Sequence, residues 1–121
     1  MQKTLKQIID SERVRRVPAQ FSWVDHRLVR NNHLLRAPAG AWGLYLVLIT
    51  VGDEQGLSYY ADRTLARLLS YSEPALAQAR RDLLAAGVIA YEAPLYQVLG
   101  LDPRLGHGLD HGPSRAREVS S

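Results

Sequence analysis

The chain has 121 residues, enough for one small domain with flanking segments. Hydrophobic residues make up 46% and charged residues 22%, a globular balance that excludes a fibrous or wholly disordered chain. A net charge of +3 permits a nucleic-acid partner without a histone-like excess, and the absence of cysteine excludes disulfides, thiol catalysis and cysteine zinc sites.

The first ten residues carry charge and no apolar run, so no secretory leader is expected. The longest apolar stretch, Ala41 to Val51, is shorter than the roughly 20 residues that a membrane-spanning helix needs. A soluble, cytoplasmic protein is the expectation. Leu5, Ile8 and Ile9, with Val14 further on, have helical spacing over residues 3–16, and Pro18 ends the segment. Such a helix is marginal alone, so residues 1–20 read as a helix leaning on the domain or as an arm. Arg13, Arg15 and Arg16 make it either a basic arm along a DNA backbone or a solvated face beside Asp10 and Glu12.

Phe21-Ser22-Trp23-Val24 reads as an extended piece. Asp25 is placed to cap a helical turn through Leu28 and Val29, and Asn31-Asn32 favours a turn. From Pro38 to Gly52 the chain is apolar almost throughout, and its length favours a helix over a strand. A helix apolar on every side must be covered on every side. A three-helix core covers part of it, and the rest needs the N-terminal segment, the Phe21–Val24 piece or another chain.

Residues 54–60 form a loop or short strand. Ala61, Leu65, Leu68 and Leu69 then mark one face of a helix, with Arg63 and Arg67 a turn apart on another. After a break at Ser70-Tyr71, Ser72 is a suitable N-cap and Pro74 is tolerated in the first turn. The next helix runs to Ala86 with Leu76, Ala79 and Leu83 inward, and Gly87 sits where a left-handed cap favours glycine. Residues 88–91 and 95–101 are strand-like and joined around Glu92-Ala93-Pro94. Tyr96 and Val98 point to one side of this hairpin, and Leu95, Leu99 and Leu101 to the other. Residues 103–121 are rich in Gly, Pro and Ser and read as a disordered tail.

Helix, helix, turn, helix and hairpin in this order make a fold that is mainly α with a small β-hairpin. Thr64-Leu65-Ala66, Leu68-Leu69, Ser72, Leu76, Leu83 and Gly87-Val88-Ile89 follow the helix-turn-helix pattern. From Phe21 to Leu101 the chain resembles the winged-helix domains of bacterial plasmid replication initiators and DnaD-like proteins. The matching segments are Phe21 to Val24, Leu44 to Leu48, Gly56 to Tyr60, Thr64 to Ala66 and Gly87 to Ile89. The resemblance implies a winged helix-turn-helix with a three-helix core plus wing over residues 21–102. It also implies a DNA-binding transcriptional regulator, or an accessory factor of replication or a mobile element, whose recognition helix is about 73–86.

Carried over by position, the outer face of that helix offers Glu73, Ala75, Gln78, Arg80 and Arg81. Gln78 suits adenine, Arg80 and Arg81 suit the groove, and Arg63 and Arg67 suit phosphates. The start Glu73-Pro74-Ala75 and the wing tip Glu92-Ala93-Pro94 depart from the basic or hydroxyl residues that DNA readers use there. A winged-helix protein-interaction module without DNA binding is therefore the alternative.

Other features carry weaker readings. Asp25, His26 and His33 have no metal-ligand spacing and read as surface residues, and His107, Asp110 and His111 form a possible chelating run in the tail. Tyr59, Tyr60, Tyr91 and Tyr96 suit stacking on single-stranded bases or, in the preferred reading, sealing of the core around the hairpin. Trp42, Leu46 and Ile49 with the outer hairpin leucines predict a homodimer face. No catalytic set, cofactor motif, metal site or small-molecule site is recognisable, so an enzyme is not expected.

Overall fold

The computed structural model describes residues 6–101. In chain order these form α1 (Arg27–Arg30), α2 (Ala39–Val51), β1 (Leu57–Tyr59), α3 (Asp62–Leu69), α4 (Glu73–Ala86), β2 (Ile89–Glu92) and β3 (Leu95–Val98). Single 3-10 turns occur at Ser11–Arg13 and His33–Arg36. The architecture is mainly helical with a small antiparallel sheet ordered β1-β3-β2.

The apolar run after Pro38 becomes α2, and its neighbours decide which of its similar residues are hidden. Ala41, Leu44, Tyr45 and Leu48 are buried, at helical spacing, against α4 and the sheet. Trp42 packs edge-on against Tyr45 at 5.1 Å between ring centroids. Its indole N–H donates to the carbonyls of Leu34 at 3.0 Å and Ala37 at 3.1 Å, so the segment before α2 covers that flank. The Tyr71 hydroxyl donates to the Gly40 carbonyl at 2.6 Å and ties the α3–α4 turn to the start of α2. Leu46 stays 59% exposed.

The turn between α3 and α4 is made by local backbone chemistry. Ser70 closes α3 in the left-handed region at φ 58°, and the Tyr71 N–H donates to the Ala66 carbonyl. The Ser72 hydroxyl then accepts from the Ala75 N–H at 3.2 Å and starts α4, which Gly87 ends at φ 76°. Leu65 of α3 and Leu76, Ala79, Leu83 and Ala86 of α4 join the common core.

The hairpin gains a third strand. Ser58, Tyr96 and Tyr91 lie side by side across the sheet, and Tyr96 is fully buried. Gly56 makes this pairing possible at φ +82°, because an added Cβ would lie 2.7 Å from the Val98 carbonyl oxygen. β3 is shorter than predicted and ends at Val98, whereas β2 keeps the expected four residues, shifted by one. The chain after Val98 turns inward, with the Leu99 N–H donating to the Val88 carbonyl and Leu101 buried in the core.

Three expectations need correction. No helix forms over residues 6–16 beyond the single turn at Ser11–Arg13, where Asp10 caps the Glu12 N–H. The segment has nothing to lean on, and residues 6–20 are exposed as an arm. Phe21–Val24, expected as an extended piece, is neither helical nor paired with a strand among the described residues, which leaves that expectation standing. Of the predicted dimer face, Leu46 is exposed, but Trp42 and Ile49 are half-buried and Leu101 is inside its own chain. His33 is buried at 1% exposure rather than on the surface, because the turn at His33–Arg36 folds it inward.

Asp25, one residue before the His26 N-cap, opens the turn into α1 by accepting from the Arg27 N–H at 2.9 Å. The Arg27 guanidinium also grips its carboxylate, at 2.8 Å from Nη2 to Oδ2, and holds its pKa at about 2 against an ordinary 3.8. A carboxyl pKa lowered by folding stabilises the fold fully above pH 3.8, and that contribution fades as pH falls from 3.8 to 2. Carboxyl-detected NMR is expected to place the Asp25 midpoint near 2, and Arg27→Ala should return it towards 3.8.

Among the described residues no helix is long and apolar enough to cross a membrane. The predicted tail, with His107, Asp110 and His111, lies outside the described residues.

Candidate nucleic-acid interface

The side chains proposed for DNA recognition sit on α3 and α4, which pack against each other. On α3, Arg63 and Arg67 are four residues apart and both exposed, opposite the buried Leu65 and Ala66. On α4, the 100° step per residue sets each side chain's direction relative to the buried stripe of Leu76, Ala79, Leu83 and Ala86. It turns Arg81 about 180° away from that stripe and Arg80 only about 80° away.

The two neighbours accordingly have different surroundings. Arg81 is exposed, and its Nη2 donates to Gln78 Oε1 at 2.8 Å. Gln78 in turn donates from Nε2 to Asp82 Oδ1 at 2.9 Å. Asp82, Gln78 and Arg81 thus form one hydrogen-bonded row on the solvent side of α4. A guanidinium fork beside a carboxamide can address the acceptor and donor pattern of a base pair's major-groove edge.

Arg80 turns inward instead. Its Nη1 donates to Asp62 Oδ1 at 2.8 Å and to the Tyr96 hydroxyl at 2.8 Å, and its Nη2 reaches Asp62 Oδ2 at 3.3 Å. The guanidinium lies 4.6 Å over the Tyr91 ring. Its side chain is 13% exposed and that of Asp62 44%. Burial disfavours the Arg80 charge, but the bonds to Asp62 and Tyr96 outweigh that cost and raise its pKa. Burial likewise raises the pKa of the Tyr96 hydroxyl, against the opposing pull of Arg80.

Arg80 was expected with Arg81 in the groove, and the structure separates them. Arg80 is a clamp joining α4 to the start of α3 and to the sheet. Asp62 and Tyr96, its partners, were not singled out from the sequence for this role. The helical direction of Arg80 was available as a signal, but the identity of its partners depends on the packing of β3.

Glu73 sits in the first turn of α4, where a negative charge is favoured by the helix dipole, and is exposed. Ala75 is exposed as well. The β2–β3 connection is only Ala93-Pro94, and the hairpin from Val88 to Val98 contains no lysine or arginine. Among α3, α4 and the hairpin, the exposed cations are Arg63, Arg67 and Arg81. Of the four tyrosines considered for base stacking, Tyr96 is buried, Tyr60 and Tyr91 pack against the core, and Tyr59 is exposed. Among the described residues no group of three or more His, Asp or Glu is placed to hold a metal ion.

No protein family, no curated protein and no solved structure matches the chain.

Proposed function

We propose that the chain is a winged-helix protein that binds duplex DNA through α3 and α4. In this reading it acts in the cytoplasm as a transcriptional regulator or as an accessory factor of replication or a mobile element. The observation that carries the reading is the exposed Gln78–Arg81 row on an α4 whose other face is buried in the core. The order helix, strand, helix, helix, strand, strand, with β3 between β1 and β2, supports the winged-helix assignment. Gln78 and Arg81 enter the major groove, Arg63 and Arg67 neutralise phosphates, and Arg80 positions α4 without touching DNA.

A salt titration against random duplex DNA tests this directly. Two phosphate-facing guanidiniums release few counterions, so log K should fall against log salt with a slope of about −2. Affinity should drop about 12-fold between about 50 and 200 mM salt. Arg67→Ala should weaken binding equally on every sequence and make the slope shallower by about one. Arg81→Ala should weaken binding most on the preferred site.

No detectable binding at low salt defeats the DNA reading and favours a protein-interaction module. The acidic Glu73 and Glu92 and the exposed Leu68 and Leu84 support that second reading, because they repel phosphate and suit a protein surface.

A further inference from the structure

The N-terminal arm and a groove beside the C-terminal half of α2 complement each other. The groove, of about 470 Å³, is lined by apolar side chains that include Phe21, Trp23, Leu48, Ile49 and Leu101. Its lining includes Asp25, Asp53 and Glu54 but no lysine, arginine or histidine, on a chain whose net charge is +3. Arg27 matches Asp25, which leaves two unbalanced carboxylates on the rim. Asp53 Oδ1 accepts from the N–H groups of Gln55 and Leu57, which fixes the loop that carries Glu54.

The arm has the opposite character. Its aliphatic residues Ile8, Ile9, Val14 and Val17 are all exposed. Lys6, Arg13, Arg15 and Arg16 outnumber Asp10 and Glu12 by two, four cations against two anions. Four exposed aliphatic side chains on one short segment are unfavourable in water, and an apolar groove of opposite charge relieves them.

The arm does not lie in the groove of its own chain. Residues 6–20 are all exposed and none of them lines the groove, and Pro18 keeps Val17 extended up to the bend at Ala19-Gln20. Residues 14–20 follow the turn at Ser11–Arg13 and span about 20 Å, long enough for Val14 and Val17 to reach a neighbouring molecule.

We propose that the arm of one copy docks in the acidic groove of a second copy, giving a symmetric arm-exchanged dimer. Val14 and Val17 enter between Phe21 and Trp23, and Arg13, Arg15 and Arg16 meet the rim carboxylates. This places the homodimer contact on the arm and groove instead of the Trp42, Leu46 and Ile49 face.

The absence of native cysteine allows a clean test. Val14→Cys and Glu54→Cys are made in separately tagged full-length chains, which are then mixed and oxidised mildly without DNA. A disulfide-linked heterodimer is expected at least about tenfold more efficiently than with Ala85→Cys, on the outer side of α4, replacing Glu54→Cys.

Light scattering should give a dimer mass for the wild-type chain. Arg13→Glu, Arg15→Glu and Arg16→Glu together should raise the dimer dissociation constant about tenfold or more, since several exposed ion pairs are lost at once. Adding Glu54→Lys to that triple variant should recover part of the loss. These substitutions fall on exposed positions, so circular dichroism should be unchanged.

A monomeric wild-type mass overturns the proposal, as does a triple variant that dimerises normally. A chain carrying both cysteines that closes only on itself overturns it as well. The readouts contain no DNA, so their outcome is independent of the DNA-binding reading.

Discussion

Leu48→Ala is expected to cost about 3–4 kcal/mol of folding stability, while Leu46→Ala on the same helix stays within about 0.5 kcal/mol. Both residues are leucines of α2, two positions apart. Leu48 has no exposed surface, and truncation leaves a cavity that the close-packed neighbours fill only partly. Leu46 is 59% exposed, so truncation removes few contacts. Urea unfolding followed by circular dichroism checks the pair, with a lower midpoint and an unchanged slope for Leu48→Ala. Comparable losses at both positions would mean that the exposed side of α2 is covered in solution.

Arg80→Ala is expected to cost about 2–3 kcal/mol, and Arg81→Ala less than about 0.5 kcal/mol. The first removes a charged hydrogen bond to the buried Tyr96 hydroxyl, the stacking on Tyr91 and the ion pair with Asp62. The ion pair contributes least, because Asp62 is 44% exposed to screening solvent. The melting temperature should fall by about 10–20 °C for Arg80→Ala in a domain of this size. Arg80→Lys should recover only part of the loss, since an ammonium cannot reproduce the fork that spans Asp62 and Tyr96. In DNA binding the order should reverse, with Arg81→Ala the more damaging at temperatures where both variants are folded.

The arginine pair also shows how far the candidate site was legible. Helical spacing alone turned Arg81 away from the Leu76, Ala79 and Leu83 stripe and brought Arg80 towards its edge. A strict reading of that angle separates the two. It does not reveal that Tyr96, sixteen residues later, supplies the acceptor for Arg80. The hydroxyl reaches Arg80 only because β3 sits between β1 and β2 and turns Tyr96 into the core.

The arm and the dimer face illustrate the opposite error. Leu5, Ile8, Ile9 and Val14 have helical spacing, but residues 6–16 form no helix beyond Ser11–Arg13, since nothing packs on that stripe. Leu101 has the pattern of an outward strand residue, yet the chain leaves the sheet after Val98 and buries it. Period-two alternation holds only while a strand continues, and the end of a strand is set by its pairing partner.

The sequence by itself determined the local chemistry. Ser72, Pro74 and Gly87 bounded α4, Asp25 opened the turn into α1, and the break at Ser70-Tyr71 divided α3 from α4, because caps and turns depend on a few adjacent residues. It also determined that α2 must be covered on several sides. Only the tertiary structure decided how. Trp42 is held by the carbonyls of Leu34 and Ala37, Leu48 is sealed, Leu46 is exposed, and Arg80 is taken out of the candidate surface while Arg81 stays on it. Those outcomes depend on neighbours distant in sequence, whose positions follow from packing the helices and the three-stranded sheet around one core.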